Sequence, residues 1–414
     1  MKFFEKLFNN TEENSFNYRL VLDIGTEYLK LAMIEFNKNE KNLISFARVK
    51  QDYGNMDGGA ITNIDGVSAI AKKALEDIKD KTPYQTVEMI TGLAGEFVKG
   101  ILLSFDVVRD KPDKKLDKKE LDKIMVKGQE KAYKKALEKA EMETGFKDIE
   151  FELIHYNLVE IKVDGYKVNN PEQFQGKNVS ILAFYTFAPL VQLGALRTIA
   201  RDLGTKLIAV MPEPLAVASS ILNIETYEFG AIIIDIGGGT TDIALIRNGG
   251  IEGSRMFAMG GRAFTRTLAS NLNLTLDEAE KVKLAYSKGE NCKDYNRIDK
   301  LLKSDMQILY QGIELSLRDL AQGEILPKNI YFCGGGSALK GLKDGLENYN
   351  LEERLPFGQK VEISLLDATD IKSIEDQFAL LKGIEYTTPK SLAYCGTKVV
   401  NKEWSVINFE SKII

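Results

Sequence analysis

Cysteine and histidine are scarce in this chain, and their scarcity removes whole classes of chemistry. The 414 residues include three cysteines, Cys292, Cys333 and Cys395, and one histidine, His155. The cysteines lie far apart with no metal-ligand spacing, so neither a disulfide framework nor a zinc centre is encoded, and a reducing compartment is expected. A Ser-His-Asp or Cys-His mechanism would have to rest on His155 alone, with no nucleophile motif beside it. An excess of positive charge is also missing. The net charge is −5, whereas nucleic-acid affinity comes mainly from cations that neutralise phosphates, so no nucleic-acid partner is expected. The long apolar stretch Val179–Ala200 is divided by Pro189 into a β-branched and aromatic run and a helical pattern, which reads as a buried strand followed by a helix rather than a membrane span. Met1–Asn10 lacks the unbroken apolar core of a signal peptide, and no export is expected.

What remains is an ordinary globular composition, long enough for two or three packed subdomains, with an approximate internal repeat of hairpin, helix and strand. Tyr18–Ile24 and Leu29–Phe36 read as the strands of a hairpin with glycine in its turn. Val67–Ile78 has helical periodicity and Thr86–Leu93 reads as a strand. The charged segment 109–148 carries a thin apolar stripe of Leu121, Ile124, Met125, Ala132, Ala136 and Ala140, with capping-box spacing at Asp117 and Glu120. That pattern fits a long solvated helix, and its charge also fits a disordered linker. Strand-like runs at Phe151–Val163 and Val179–Thr186 make the surrounding region a small α+β insertion. A second hairpin follows at Ala231–Asp235 and Ile243–Arg247, then helices at Phe264–Leu272, Leu276–Lys288 and Leu301–Leu320, a buried strand at Asn329–Cys333, and a helix at Leu339–Leu346.

The chemistry is concentrated in glycine-rich turns. In Asp23-Ile24-Gly25-Thr26-Glu27, with Lys30 on the returning strand, the glycine lets backbone N–H groups approach phosphate oxygens while Asp23 can hold the water shell of Mg²⁺. Asp-x-Gly is also an ordinary turn, so one copy decides little. Asp235-Ile236-Gly237-Gly238-Gly239-Thr240-Thr241-Asp242 repeats the pattern with consecutive glycines and two hydroxyls, and Asp235 takes the position of Asp23. Two such loops can clasp a triphosphate between them. Glu213, at a helix start before Pro214, is placed either to orient a water attacking a γ-phosphate or to serve the helix dipole. Gly334-Gly335-Gly336-Ser337-Ala338 forms a strand-to-helix turn where a nucleobase or phosphate can lie on bare backbone. Glu280 and Lys283, one turn apart, fit ribose and base contacts and fit a surface salt pair equally.

In this order the motifs resemble the superfamily of actin, the DnaK chaperones and sugar kinases. DIGTEYLK is similar to its first phosphate loop, EPLAVA to its first connecting helix, DIGGGTTDIA to its second phosphate loop, and GGGSALKGL to its adenosine motif, over about residues 18–400. Within it, GGAITNID, VEMITGLAGEF, GYKVNNP and MGGRAFTRTLA with AEKVK resemble the bacterial cell-division family FtsA. That resemblance implies an α/β, actin-like (ribonuclease H-like) two-lobed fold. Its divisions would be an N-terminal tail over 1–17, subdomain 1A over 18–100 completed by 184–212 and 380–400, and a subdomain 1C insertion over 101–183. Subdomain 2A would span 213–260, completed by 328–379, subdomain 2B 261–327, and a C-terminal tail 401–414. It implies ATP and Mg²⁺ as ligands with weak ATPase activity at most, self-association into filaments, and peripheral contact with the inner face of the membrane. The implied partners are the FtsZ C-terminal peptide and other division proteins. The chain departs from the family at its C-terminus, where WSVINFESKII has no basic amphipathic pattern. At the other end MKFFEKLFNN puts Phe3, Phe4, Leu7 and Phe8 on one helical face, suited to a weak membrane contact or to folding back on the protein. The alternatives are a PilM-like component of type IV pilus assembly, which shares the insertion, and more remotely a sugar or metabolite kinase, for which no sugar-pocket aspartate motif is found.

Overall fold

The computed structural model describes residues 16–81, 88–93, 98–221, 230–247, 250–290 and 292–399. Both tail segments considered above, Met1–Asn10 and 401–414, fall outside these residues, as do the first residues of the expected strand Thr86–Leu93.

Two five-stranded sheets share one topology. In spatial order the first sheet is Lys206–Pro212, Glu88–Leu93, Asn17–Ile24, Tyr28–Phe36 and Lys41–Lys50, and the second is Gly250–Phe257, Thr241–Arg247, Ala231–Ile236, Asn329–Cys333 and Glu362–Leu365. The first is built from β1 (Asn17–Ile24), β2 (Tyr28–Phe36), β3 (Lys41–Lys50), β6 (Glu88–Leu93) and β11 (Lys206–Pro212). The second is built from β12 (Ala231–Ile236), β13 (Thr241–Arg247), β14 (Gly250–Phe257), β15 (Asn329–Cys333) and β16 (Glu362–Leu365). In each, a central strand pairs antiparallel with the next strand in sequence and parallel with a later one, as β1 does with β2 and β6, and β12 with β13 and β15. Central strands buried on both faces explain the continuous apolar runs at Leu20–Leu22 and Ile232–Ile234. A short hairpin of β4 (Met56–Asp57) and β5 (Ala60–Ile61) leads into α1 (Ile64–Ile78), capped by the Asn63 side chain on Gly66 N–H.

The inserted region folds as its own sheet, β7-β10-β8-β9, from β7 (Lys99–Val108), β8 (Phe151–Val163), β9 (Tyr166–Lys167) and β10 (Asn178–Pro189). Across it lies α2 (Lys118–Thr144), capped at the N-terminus by Asp117 on Glu120 N–H and at the C-terminus by left-handed Gly145. The charged segment is therefore a helix. Its stripe residues Ile124, Met125, Ala132, Ala136 and Ala140 are buried against Phe105, Ile181 and Tyr185. Gly128 permits that approach, because a Cβ there would lie 2.2 Å from the Tyr185 hydroxyl oxygen. Arg109, at the end of β7, ties the insert together with two hydrogen bonds to Glu120 and others to the carbonyls of Lys114 and Gly176.

β10 ends at Pro189, where α3 (Leu190–Asp202) begins, so the apolar stretch divides at the proline. Among the described residues no helix is long and apolar enough to cross a membrane. The helix α4 (Glu213–Ile221) and the last helix, α9 (Thr387–Gly396), pack together between the two sheets. α1 and α3 cover the outer face of the first sheet, while α5 (Gly261–Leu272), α6 (Leu276–Ser287), α7 (Tyr295–Ala321) and α8 (Leu342–Glu347) build the second lobe. α7 begins earlier than the expected Leu301 because a polar first turn, Asn296-Arg297, hides its start from hydrophobic periodicity. A helix over Leu339–Leu346 was expected, whereas a 3₁₀ turn occupies Gly335–Ala338 and Gly341, at φ 81°, delays α8 to Leu342.

Candidate functional site

The matched topology puts the two Asp-Gly loops in equivalent places, each at the end of a central strand. Register opposes Asp23 to Lys30 across the β1–β2 hairpin and Asp235 to Asp242 across β12–β13. Both loops open on one cleft between the lobes, of about 470 Å³, within the roughly 300–1,000 Å³ usual for small-molecule sites. Of the residues singled out from the sequence, the cleft is lined by Asp23, Gly25, Thr26, Glu27, Lys30, Glu213, Asp235, Gly237, Gly238, Thr240, Glu280, Lys283, Gly334, Gly335, Gly336 and Ala338.

Its floor is acidic. Lys30 Nζ stands 2.9 Å from Asp23 Oδ2, and burial, which works against its charge, is outweighed by Asp23 together with Asp235 and Glu213, so its pKa is raised. Burial raises the pKa of Asp235, opposed by a 2.6 Å hydrogen bond donated by Thr388 Oγ1 and by the charge of Lys30. Glu213, the first residue of α4, is held well above the usual carboxylate range by burial and by the carboxylates of Asp23, Asp235 and Asp242. It also passes close to β6, since a Cβ on Gly92 would lie 2.7 Å from Glu213 Oε1. The carboxylate thus sits on the cleft floor as well as at a helix start. The donor set is oxygen only, which suits a hard cation. Among the described residues no group of three or more His, Cys, Asp or Glu side chains is arranged to hold a metal ion.

The second loop is tethered from behind. Gly261 N–H and Arg262 N–H, at the start of α5, donate to the carbonyls of Gly237 and Gly238. Peptide planarity then turns the amide N–H groups that follow those carbonyls away from α5. On the other side the loop touches the first loop: a Cβ on Gly238 would lie 3.2 Å from Glu27 Cβ, and one on Gly239 3.0 Å from Thr26 Oγ1. Gly239 therefore serves close packing of loop on loop and does not line the cleft. Two further expectations are corrected. Thr241 is fully buried and its hydroxyl donates to Met259 O at 2.7 Å, because the alternation of β13 turns it from the cleft. Ser337 is buried and its hydroxyl donates back to Cys333 O within the turn. Thr240 keeps its place at the cleft, with its hydroxyl on Asp242 Oδ2 at 3.1 Å.

At the far end, Gly334 has φ 81°, and a Cβ there would lie 2.1 Å from Asp235 Oδ1, so only glycine lets the third turn pass the second loop's aspartate. Facing it from α6, Lys283 Nζ pairs with Glu280 Oε2 at 2.8 Å and donates to Gly261 O and Thr265 Oγ1 at 2.9 Å. The pair is an ion pair and a cleft wall at once. Sequence reasoning missed Arg262, whose Nε lies 2.7 Å from Glu27 Oε2, and Thr388, Arg48 and Glu385, which also line the cleft. Arg48 stacks its guanidinium 3.7 Å from the centre of the Tyr28 ring. The signals were weak: a cation after Gly-Gly, and a Thr-Thr-Pro helix start far from either loop.

A family model described as cell division protein FtsA matches residues 232–383, and one described as MreB/Mbl protein matches residues 160–293. The chain is similar to the cell division protein FtsA of Streptococcus pneumoniae, 28% identical over 266 residues, covering 64% of this chain and 55% of that protein. It is also similar to FtsA of Neisseria meningitidis, 25% identical over 275 residues, covering 66% of this chain and 62% of that protein. The chain thus spans less than two thirds of either relative. Among solved structures, a type IV pilus biogenesis complex of PilM and PilN superposes with TM-score 0.65 at 20% identity, covering 92% of this chain and 98% of that one. The chain has the actin-like fold.

Proposed function

We propose that this chain is an ATP-binding, actin-like cell-division protein of the FtsA kind, which assembles at the inner face of the membrane, anchors an FtsZ ring and recruits other division proteins. The observation that carries the nucleotide reading is convergence: three glycine-rich turns, distant in sequence, line one cleft over an acidic floor that also holds Lys30. A nucleoside triphosphate with Mg²⁺ would neutralise that floor, the phosphates meeting the two loops and the base lying between Gly334–Gly336 and the Glu280–Lys283 wall. Glu213 is the candidate to orient an attacking water, and with no covalent nucleophile required, slow turnover is the expectation. Similarity to the FtsA relatives supports the division role.

Asp235→Ala should abolish most Mg-ATP binding in a calorimetric titration, because it removes a carboxylate facing the metal's water shell. Unchanged affinity would sink the loop assignment. A PilM-like role is the second reading, favoured by the breadth of the structural superposition. Pull-down with an FtsZ C-terminal peptide against a pilus-membrane peptide separates the two, and capture by the second alone would reject the division role. Co-sedimentation with liposomes, with and without Met1–Asn10, tests tethering.

A further inference from the structure

Glu27 stands in the first Asp-Gly loop at the cleft, yet a carboxylate beside phosphate is unfavourable unless something neutralises it. In the structure that group is Arg262. Its Nε lies 2.7 Å from Glu27 Oε2, its Nη2 donates to Thr26 O at 2.7 Å, and its own N–H donates to Gly238 O at 2.8 Å. One residue of the second lobe therefore grips the first loop by its side chain and the second loop by its backbone. Both partners are largely buried, and the Tyr53 ring lies 5.4 Å from the guanidinium carbon. The two loops approach each other closely at Gly238 and Gly239, where an added Cβ would lie 3.2 Å from Glu27 Cβ and 3.0 Å from Thr26 Oγ1. Lys30 is already engaged by Asp23 on the floor.

We propose that Arg262 is the specificity-determining residue for a terminal phosphate: it exchanges the Glu27 carboxylate for the phosphate oxygens of a nucleoside triphosphate, and the ion pair closes the phosphate end until such a ligand enters. Guanidinium suits this exchange because its planar fork matches carboxylate and phosphate alike. The proposal rests on the nucleotide reading above and adds to it a preference for the triphosphate over shorter ligands.

The test is calorimetric titration of the full chain and its Arg262→Ala, Arg262→Lys and Glu27→Gln variants with Mg-ATP, Mg-ADP and adenosine. Arg262→Ala should lose about ten- to a hundredfold in Mg-ATP affinity, the range for a charge-assisted hydrogen bond. It should change adenosine binding little, which also shows that the variant is folded. Arg262→Lys should recover only part of the loss, lacking the fork. Glu27→Gln should bind Mg-ATP several-fold more tightly, because it frees the guanidinium and removes a repulsive charge. Equal weakening of all three ligands by Arg262→Ala, or weakening of Mg-ATP by Glu27→Gln, overturns the exchange while leaving the nucleotide site standing. Failure of the unaltered chain to bind any of the three overturns the nucleotide reading, and this proposal with it.

Discussion

Thr388 holds the most informative hydrogen bond in the cleft, and its removal is a quantitative test of how the site is assembled. The hydroxyl is buried on the first turn of α9 and donates to Asp235 Oδ2 at 2.6 Å, between residues far apart in sequence. Thr388→Val keeps the shape and deletes the donor. A hydrogen bond to a charged group contributes about 1.5–3 kcal/mol, so a carboxylate left with Lys30 and the weak Cys333 thiol donor should lose about tenfold to a hundredfold in its ability to orient a hydrated cation. Burial already raises the pKa of Asp235, and the Thr388 hydrogen bond opposes that rise. Without it the pKa moves higher, so the charged form is lost sooner as pH falls. Mg-ATP affinity of the variant should therefore drop at a higher pH than that of the parent, and Thr388→Ser should restore both affinity and pH limb. Calorimetric titrations across acidic to neutral pH check this. An affinity and a pH limb both unchanged in Thr388→Val would refute the claim that this hydroxyl positions Asp235.

Two further outcomes follow from the cleft floor. Glu213, held well above the usual carboxylate range by burial and by the neighbouring aspartates, contributes stability that is fully present below its unfolded pKa and lost as pH rises through its folded one. Glu213→Gln should therefore raise the melting temperature of the nucleotide-free chain at neutral pH, the gain fading toward pH values below about 4.3, while ATP turnover slows and binding is spared; a gain that grows on acidification contradicts the assigned sign. Gly334→Ala forces a side chain into a left-handed backbone with its Cβ 2.1 Å from Asp235 Oδ1. It should cost about 1–3 kcal/mol from the backbone alone, read as a lowered denaturation midpoint, together with loss of nucleotide binding, and a midpoint equal to the parent's would show that the turn relaxes freely.

The parts of the fold legible in the sequence are those written in local pattern. Glycine between β-branched runs marks both hairpins, the Asp117 cap and alanine stripe mark α2, and Pro189 marks the passage from β10 to α3. The two Asp-Gly loops were legible as a pair because the structural duplication repeats their chemistry. Illegible were the groups that reach the cleft from elsewhere. Thr388 approaches Asp235 only because α9 packs against α4 between the sheets, and Arg262 reaches Glu27 only because α5 begins behind the second loop. Local chemistry also overstated two residues. Thr241 and Ser337 have the right hydroxyls, but strand alternation and a tight turn commit each to a backbone carbonyl.

The same packing would link ligand binding to the arrangement of the lobes. Asp23, Lys30 and Glu27 belong to the first sheet and its hairpin, Asp235 and Arg262 to the second lobe, and Glu213 and Thr388 to the helices between. Three polar interactions of the cleft therefore cross a layer boundary, Thr388 on Asp235, Arg262 on Glu27, and Glu213 among the aspartates of both hairpins, whereas Lys30 on Asp23 stays within the first hairpin. A ligand that neutralises the floor and takes Arg262 from Glu27 changes the contacts between layers without disturbing the apolar core within either one. Farther out, Lys50 and Asp277 bridge the lobes at 2.9 Å, but both are exposed, and such pairs contribute at most about 1 kcal/mol. The buried contacts outweigh this rim pair, so nucleotide occupancy, more than ionic strength, should set how the lobes meet.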